Sequence, residues 1–185
     1  ANDFKKAKEY YNKYKTVMKL KDVADIEYVY KQIESCELGE LMIKKPITPK
    51  RIELPDEING FSSCYNPVFS TKDSMLIYMA KKPFYSAIMM SWYKDGKWQV
   101  PVVINDQLGA DDNCHVTSIS PNGNEIFLAK KEDDGNFEIY SSYLRNGIWS
   151  KMIKLGEEIN TVYDETHATL TPDGKSLYFT SNRPG

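Results

Sequence analysis

Several things are scarce in this chain of 185 residues, and each scarcity removes a class of function. No apolar run approaches the roughly 20 residues that a membrane-spanning helix needs, so no transmembrane segment is expected. Charge has no dominant sign: 24 Lys and Arg stand against 26 Asp and Glu, which lacks the basic footprint of a nucleic-acid binder. The three cysteines, Cys36, Cys64 and Cys114, show no C-x-x-C spacing and indicate neither a zinc site nor a disulfide framework. An odd count leaves at least one thiol free, and Cys36 and Cys114 read as small buried hydrophobes. Only two histidines occur, His115 and His167. The chain opens without a basic n-region, apolar h-region or cleavage site, so any targeting signal is expected to have been removed or to lie upstream.

What is abundant is aromatic side chains, with 13 Tyr, 7 Phe and 3 Trp, and repetition. Thr71–Tyr78 (TKDSMLIY), Ser120–Phe127 (SPNGNEIF) and Thr171–Tyr178 (TPDGKSLY) align without a gap, 49 and then 51 residues apart. The turn and tryptophan of Asp95-Gly96-Lys97-Trp98 recur 51 residues on as Asn146-Gly147-Ile148-Trp149, and the same spacing carries Leu108 to Ile159 and Asn113 to Asp164. The two extra residues are therefore expected between Phe127 and Asn146, in the polar loop Lys130–Asn136. Within a repeat, a strand such as Cys114–Ser120 meets a turn of Ser or Thr, Pro, Asn or Asp, and Gly, which suits a type I turn. A strand rich in β-formers follows (Met75–Met79, Glu125–Leu128, Ser176–Phe179). A third (Ile88–Tyr93, Phe137–Leu144) meets a fourth across Asp95-Gly96 or Asn146-Gly147, dipeptides that tolerate the positive φ of a two-residue hairpin. Four antiparallel strands per 40–50 residues is the signature of a β-propeller blade, with an unrelated β-sandwich of similar hairpins as the alternative.

The first 45 residues have helical spacing instead. Phe4, Ala7, Tyr10, Tyr11, Tyr14, Val17 and Met18 form one apolar stripe. Ile26, Val29, Tyr30, Ile33, Leu38, Leu41 and Met42 form a second. The polar break Lys19–Asp25 separates them, Asp22 or Asp25 can cap the second helix, and Pro46 ends it. The Tyr-rich stripe is broader than two helices can bury, so it is expected to pack on preceding helices or on the propeller. The reading is thus α+β: a helical hairpin over residues 1–45, an extended connector over 46–65 with Arg51–Leu54 as a candidate strand that would complete a blade, and blades over 66–185. Two blades are complete and the third stops at Ser181–Gly185, after its second strand. Since a propeller takes about 4–8 blades, the chain is expected to belong to something longer.

The stretch Leu155–Gly185 (LGEEINTVYDETHATLTPDGKSLYFTSNRPG) resembles the TolB-type, WD40-like repeat of Bacteroidetes envelope proteins. The third repeat matches closely and the second moderately. The first departs, with Lys72 and Ser74 where the others have Pro and Gly. Asn2–Leu20 and Tyr28–Met42 resemble the last helices of the tetratricopeptide region that precedes the propeller in that family, although no complete 34-residue repeat is present. The resemblance implies a non-enzymatic, periplasmic, outer-membrane-associated scaffold that binds other envelope proteins and grips peptidoglycan through an OmpA-like domain absent here. Members of this kind include an accessory component of the type IX secretion system, which points to tethering a secretion or gliding complex. An adaptor for glycan uptake is the runner-up.

An enzyme, the propeller domain of a peptidase or glycosidase, is the alternative of another class. No G-x-S-x-G elbow occurs to supply an activated serine, and Thr171-Pro-Asp-Gly-Lys does not have the spacing of a sialidase Asp box. A glycosidase needs two carboxylates across the scissile bond. Asp111, Asp112, Asp164 and Glu165 are acidic, but they recur at the entrance to the innermost strand, which favours turn or cap duty. His115 and His167 begin innermost strands, where a metal or ligand contact is conceivable. His115 aligns with Thr166, however, so the two rings are expected on opposite faces, each as a packed or solvated imidazole. Glu132–Asn136 has the composition of a calcium loop without its spacing or closing glutamate, and reads as an exposed hairpin loop. No catalytic, cofactor or metal residue is therefore assigned, and no cofactor.

Overall fold

The computed structural model describes residues 3–17, 23–70 and 74–184. The chain is α+β and divides into two compact units, Ala1–Ile52 and Glu53–Gly185.

The first unit is a hairpin of α1 (Phe4–Val17) and α2 (Val23–Lys44). Asp3 starts α1: its side chain accepts the Lys6 N–H at 3.0 Å and its carbonyl accepts that of Ala7. Lys8 and Glu37 pair across the helices at 2.6 Å, and Lys15 lies over the Tyr30 ring. The buried seam of α2 is Val29, Cys36 and Gly39. A Cβ at Gly39 would stand 2.7 Å from the Phe4 ring, so glycine lets that ring lie on the helix backbone. The seam is narrower than the expected second stripe. Leu38, Leu41 and Met42 face solvent, because one facing helix covers only the positions about 3.5 residues apart. α2 also begins at Val23, inside the expected polar break; Asp22 lies outside the described residues.

The second unit is built from antiparallel sheets. In the first, β1 (Cys64–Phe69), β2 (Met75–Lys81) and β3 (Ser86–Lys94) pair in order. The fourth strand comes in two short pieces on β3, namely β4 (Lys97–Trp98) and β5 (Val102–Val103). The second sheet repeats the plan with β6 (Cys114–Ile119), β7 (Glu125–Lys131), β8 (Phe137–Arg145), β9 (Ile148–Trp149) and β10 (Ile153–Lys154). The third contains β11 (Glu165–Leu170) and β12 (Leu177–Ser181). Both hairpin dipeptides turn as expected: Asp95 and Gly96 have φ of 52° and 76°, Asn146 and Gly147 of 53° and 80°.

The sheets stack face to face. Met75, Ile77, Met79, Ile88 and Met90 of the first meet Val116, Ile126, Leu128 and Trp149 of the second. The second sheet's other face, with Phe127 and Ile139, meets Ala168, Leu170, Leu177 and Phe179 of the third. Two-sided burial explains why β2 is continuously apolar rather than alternating. The first sheet's remaining face, with Leu76, Tyr78, Ala80, Ala87 and Met89, is covered by Leu54, Ile58 and Phe61. Ile58 lies in a single helical turn, α3 (Asp56–Asn59), and Tyr78 donates its hydroxyl to the Ile58 carbonyl at 3.3 Å. Arg51–Leu54 is not a strand. Its neighbours after Glu53 instead seat a short apolar plug where the other sheets have a preceding sheet.

Register corrects the repeat alignment. Ser120 Oγ accepts the Glu125 N–H, and Thr171 Oγ1 that of Ser176, closing equivalent turns. In the first repeat the same bond runs from Met75 N–H to Ser70 Oγ. Ser70 is thus the counterpart of Ser120, fifty residues away, and Ile77 that of Phe127. The gapless alignment had slipped by one residue, since one turn lacks the Pro and Gly that mark the others. Only one extra residue then belongs to the loop between β7 and β8. The turn residues 71–73 lie outside the described residues.

Candidate functional site

The innermost strands β1, β6 and β11 lie side by side, and all three carry a bulge at the same height. Thr117 and Ser118, at the bulge of β6, donate their hydroxyls to the Ala168 carbonyl at 3.2 and 2.6 Å, which fastens β6 to β11. Positive φ appears in the outer two bulges, at Asn66 (49°) and His167 (52°). These hold the same repeat position, and both residue types tolerate the left-handed region better than most.

That conformation re-aims His167. A regular strand would send His115 and His167 to opposite faces, as the alignment predicts, but the bulge brings their ring centroids to 6.3 Å. Thr166 Oγ1 bonds His167 Nδ1 at 2.9 Å, and the Phe137 ring packs edge-on against His115 at 5.9 Å. Burial, and then the neighbouring His167, hold the His115 pKa below its ordinary value of 6.5. His115 also lines a cavity of about 320 Å³ with Tyr65, Asn66, Asp112, Lys131 and Phe137. Among the described residues no cluster of three or more His, Cys, Asp or Glu is placed to hold a metal ion.

The four candidate acids are tied into backbone. Asp164 Oδ1 accepts the Phe137 N–H at 2.9 Å and Oδ2 accepts Asn182 Nδ2 at 3.0 Å. Asp112 Oδ1 accepts the Ser86 N–H at 3.3 Å, the same link one sheet earlier. Asp111 Oδ1 accepts the Asn113 N–H, and Oδ2 faces Lys130 at 3.5 Å. Glu165 is wholly buried. One oxygen accepts Thr161 N–H at 2.8 Å; the other accepts Thr161 Oγ1, Ser181 Oγ and Arg183 Nη2 at 2.9, 2.8 and 3.1 Å. Burial alone would push its pKa up, but these donors, led by the Thr161 N–H, hold it below 4.5. Glu132–Asn136 joins β7 to β8 as a tight loop closed by Glu132 N–H to Asn136 carbonyl at 2.9 Å. Cys114 is buried with its thiol pushed up to about 12 by burial first, Cys36 is also buried, and Cys64 is exposed.

Two asparagines escaped the sequence reading. Asn105 Oδ1 accepts the Ile88 N–H at 2.7 Å, and Asn160 Oδ1 accepts the equivalent Ile139 N–H at 2.8 Å while its Nδ2 donates to the Ile139 and Leu155 carbonyls. Both are buried and bracket the third strand where the fourth leaves it. They sit 55 residues apart, off the 51-residue period, so spacing could not pair them. In the helical unit, an open groove of about 820 Å³ is lined by Tyr10, Tyr11, Tyr14, Tyr28 and Val29, with Lys13 and Asp25 at its polar edge.

No protein-family model matches the chain, and no curated protein does. Among solved structures, TolB from Acinetobacter baumannii aligns over 66% of this chain and 28% of its own, at 22% identity and a TM-score of 0.49. A putative TolB from Agrobacterium tumefaciens aligns over 74% of this chain and 43% of its own, at 20% identity and a TM-score of 0.51. The chain therefore spans less than half the length of each. The second likeness is one of fold alone, a TolB-like β-propeller architecture.

Proposed function

We propose that the stacked sheets are consecutive blades of a larger TolB-like propeller, and that this propeller is a non-enzymatic protein-binding module of the bacterial periplasm. The observation that carries the reading is the state of the acids: Asp164 and Glu165, the carboxylates best placed by sequence for chemistry, are occupied by backbone and side-chain donors that clamp neighbouring elements. A general acid or base needs a free oxygen facing a substrate. Binding surfaces, by contrast, are well supplied. Tyr10, Tyr14 and Tyr28 stay exposed around the helical groove, and aromatic side chains of this kind anchor protein interfaces.

The finer reading rests on the likeness of Leu155–Gly185 to the Bacteroidetes envelope repeat. On it, the helical hairpin ends a tetratricopeptide region, the protein is outer-membrane associated, and a peptidoglycan-binding domain lies beyond this chain and tethers a type IX secretion or gliding complex. In-cell cross-linking of the full-length protein, followed by fractionation and mass spectrometry, tests both levels. Envelope proteins cross-linked in the periplasmic fraction support the module, and co-sedimentation with peptidoglycan and secretion components supports the tether. A cytoplasmic location, or a hydrolase activity lost in Asp164→Asn, would overturn the reading.

A further inference from the structure

We propose that His115 and His167 form a two-imidazole site for a borderline divalent transition-metal ion of the Zn²⁺, Ni²⁺ or Cu²⁺ class, with water filling the remaining positions. These ions favour imidazole nitrogen over the oxygen donors that suit Mg²⁺ or Ca²⁺. A metal–nitrogen bond of about 2.0–2.1 Å puts the ion about 3.2 Å from a ring centroid, so two rings sharing one ion lie roughly 5–6.4 Å apart. The observed 6.3 Å is at the outer end of that span, where the N–metal–N angle is nearly linear, and the His167 ring is exposed.

Two further features bear on the pair. In the tautomer that protonates Nδ1, the bond from His167 Nδ1 to Thr166 Oγ1 is an outer contact of the kind that orients a metal-binding histidine, and Nε2 is left for the ion. The groups around His115 are His167, the edge-on Phe137 ring, Tyr65, Asp112 and Lys131. The bulge at φ 52°, a conformation that Asn66 shares at the same repeat position, sets the direction that brings the His167 ring toward His115. None of this depends on ring closure or on the proposed partners.

The test uses the full chain, untagged and carrying Cys64→Ser to remove the exposed thiol, titrated with Zn²⁺ and Ni²⁺ by calorimetry near neutral pH, with the imidazole NMR signals followed in parallel. His167→Asn keeps the left-handed bulge, since asparagine holds that position in the first repeat, and His115→Tyr installs the first repeat's Tyr65. The expected result is one ion per chain, shifts confined to the two imidazoles, and a loss of about tenfold or more in affinity in each variant. Absence of saturable binding overturns the proposal. So does binding undiminished in both variants, or diminished in only one, because a lone imidazole is not a shared site.

Discussion

Replacing Glu165 gives the sharpest measure of how the third sheet is held. The side chain is wholly buried, and four donors converge on it from Thr161, Ser181 and Arg183. Hydrogen bonds to a charged acceptor contribute about 1.5–3 kcal/mol each but are far from additive, and truncating one partner of a buried ionic network typically costs about 3–5 kcal/mol. Arg183 is about one-third exposed and regains water when freed, which sets Glu165→Ala near the lower end, about 3 kcal/mol. The measurement is urea unfolding followed by tryptophan fluorescence; Trp92, Trp98 and Trp149 all lie in the second unit. The pH dependence follows from the lowered pKa. A carboxyl held below its ordinary 4.5 contributes stability that is fully present above that pH and is lost as pH falls through the folded value. Wild type and Glu165→Ala should therefore differ most near neutrality and converge in acid. A neutral-pH difference under about 1 kcal/mol, or a gap that persists unchanged in acid, would refute the clamp.

Two other substitutions probe the repeat architecture. Asn160→Ala strips a buried side chain that makes three hydrogen bonds and strands the Ile139 N–H, so a loss of about 2–3 kcal/mol is expected in the same unfolding assay; a change under 0.5 kcal/mol would show the bracket to be dispensable. Trp149 is 2% exposed between the first two sheets and donates its indole N–H to Met90 Sδ, whereas its counterpart Trp98 is only half-buried. Trp149→Ala should cost about 3–5 kcal/mol and Trp98→Ala clearly less, and equal losses would contradict the assigned stacking.

The contrast between those tryptophans also shows what a repetitive sequence reveals and what it hides. Strand hairpins were legible because their chemistry is local: Asp95-Gly96 and Asn146-Gly147 name a positive-φ turn without reference to anything distant. The first repeat's turn was misread by one residue because Ser70 does the work of Ser120 without the Pro and Gly that flag it, and only the bond from Met75 N–H identifies the equivalence. Asn105 and Asn160 were invisible for a related reason, as the same bond to the third strand is reached from different places in the connecting loop. The histidine pair required a bulge that reverses the alternation on which facing arguments rest. Each failure lies where a side chain takes over a backbone interaction or a backbone bulge redirects a side chain, so period alone carries no trace of it.

The outer face of the first sheet extends the same logic from register to assembly. Repeat equivalence makes this the face to which Trp98 belongs, as Trp149 belongs to the face packed on the preceding sheet. Leu54, Ile58 and Phe61 cover it instead, Ile58 at 2% exposure, while Phe69 and Tyr93 at the same face remain 44% exposed. A closed propeller would bring another blade against this surface, and the plug occupies only part of it. On the proposed propeller, a further blade would pack on this residual aromatic edge with the plug left in place, because displacing Ile58 would strip apolar cover from Tyr78 and Met89 at about 25 cal/mol for each Å² re-exposed.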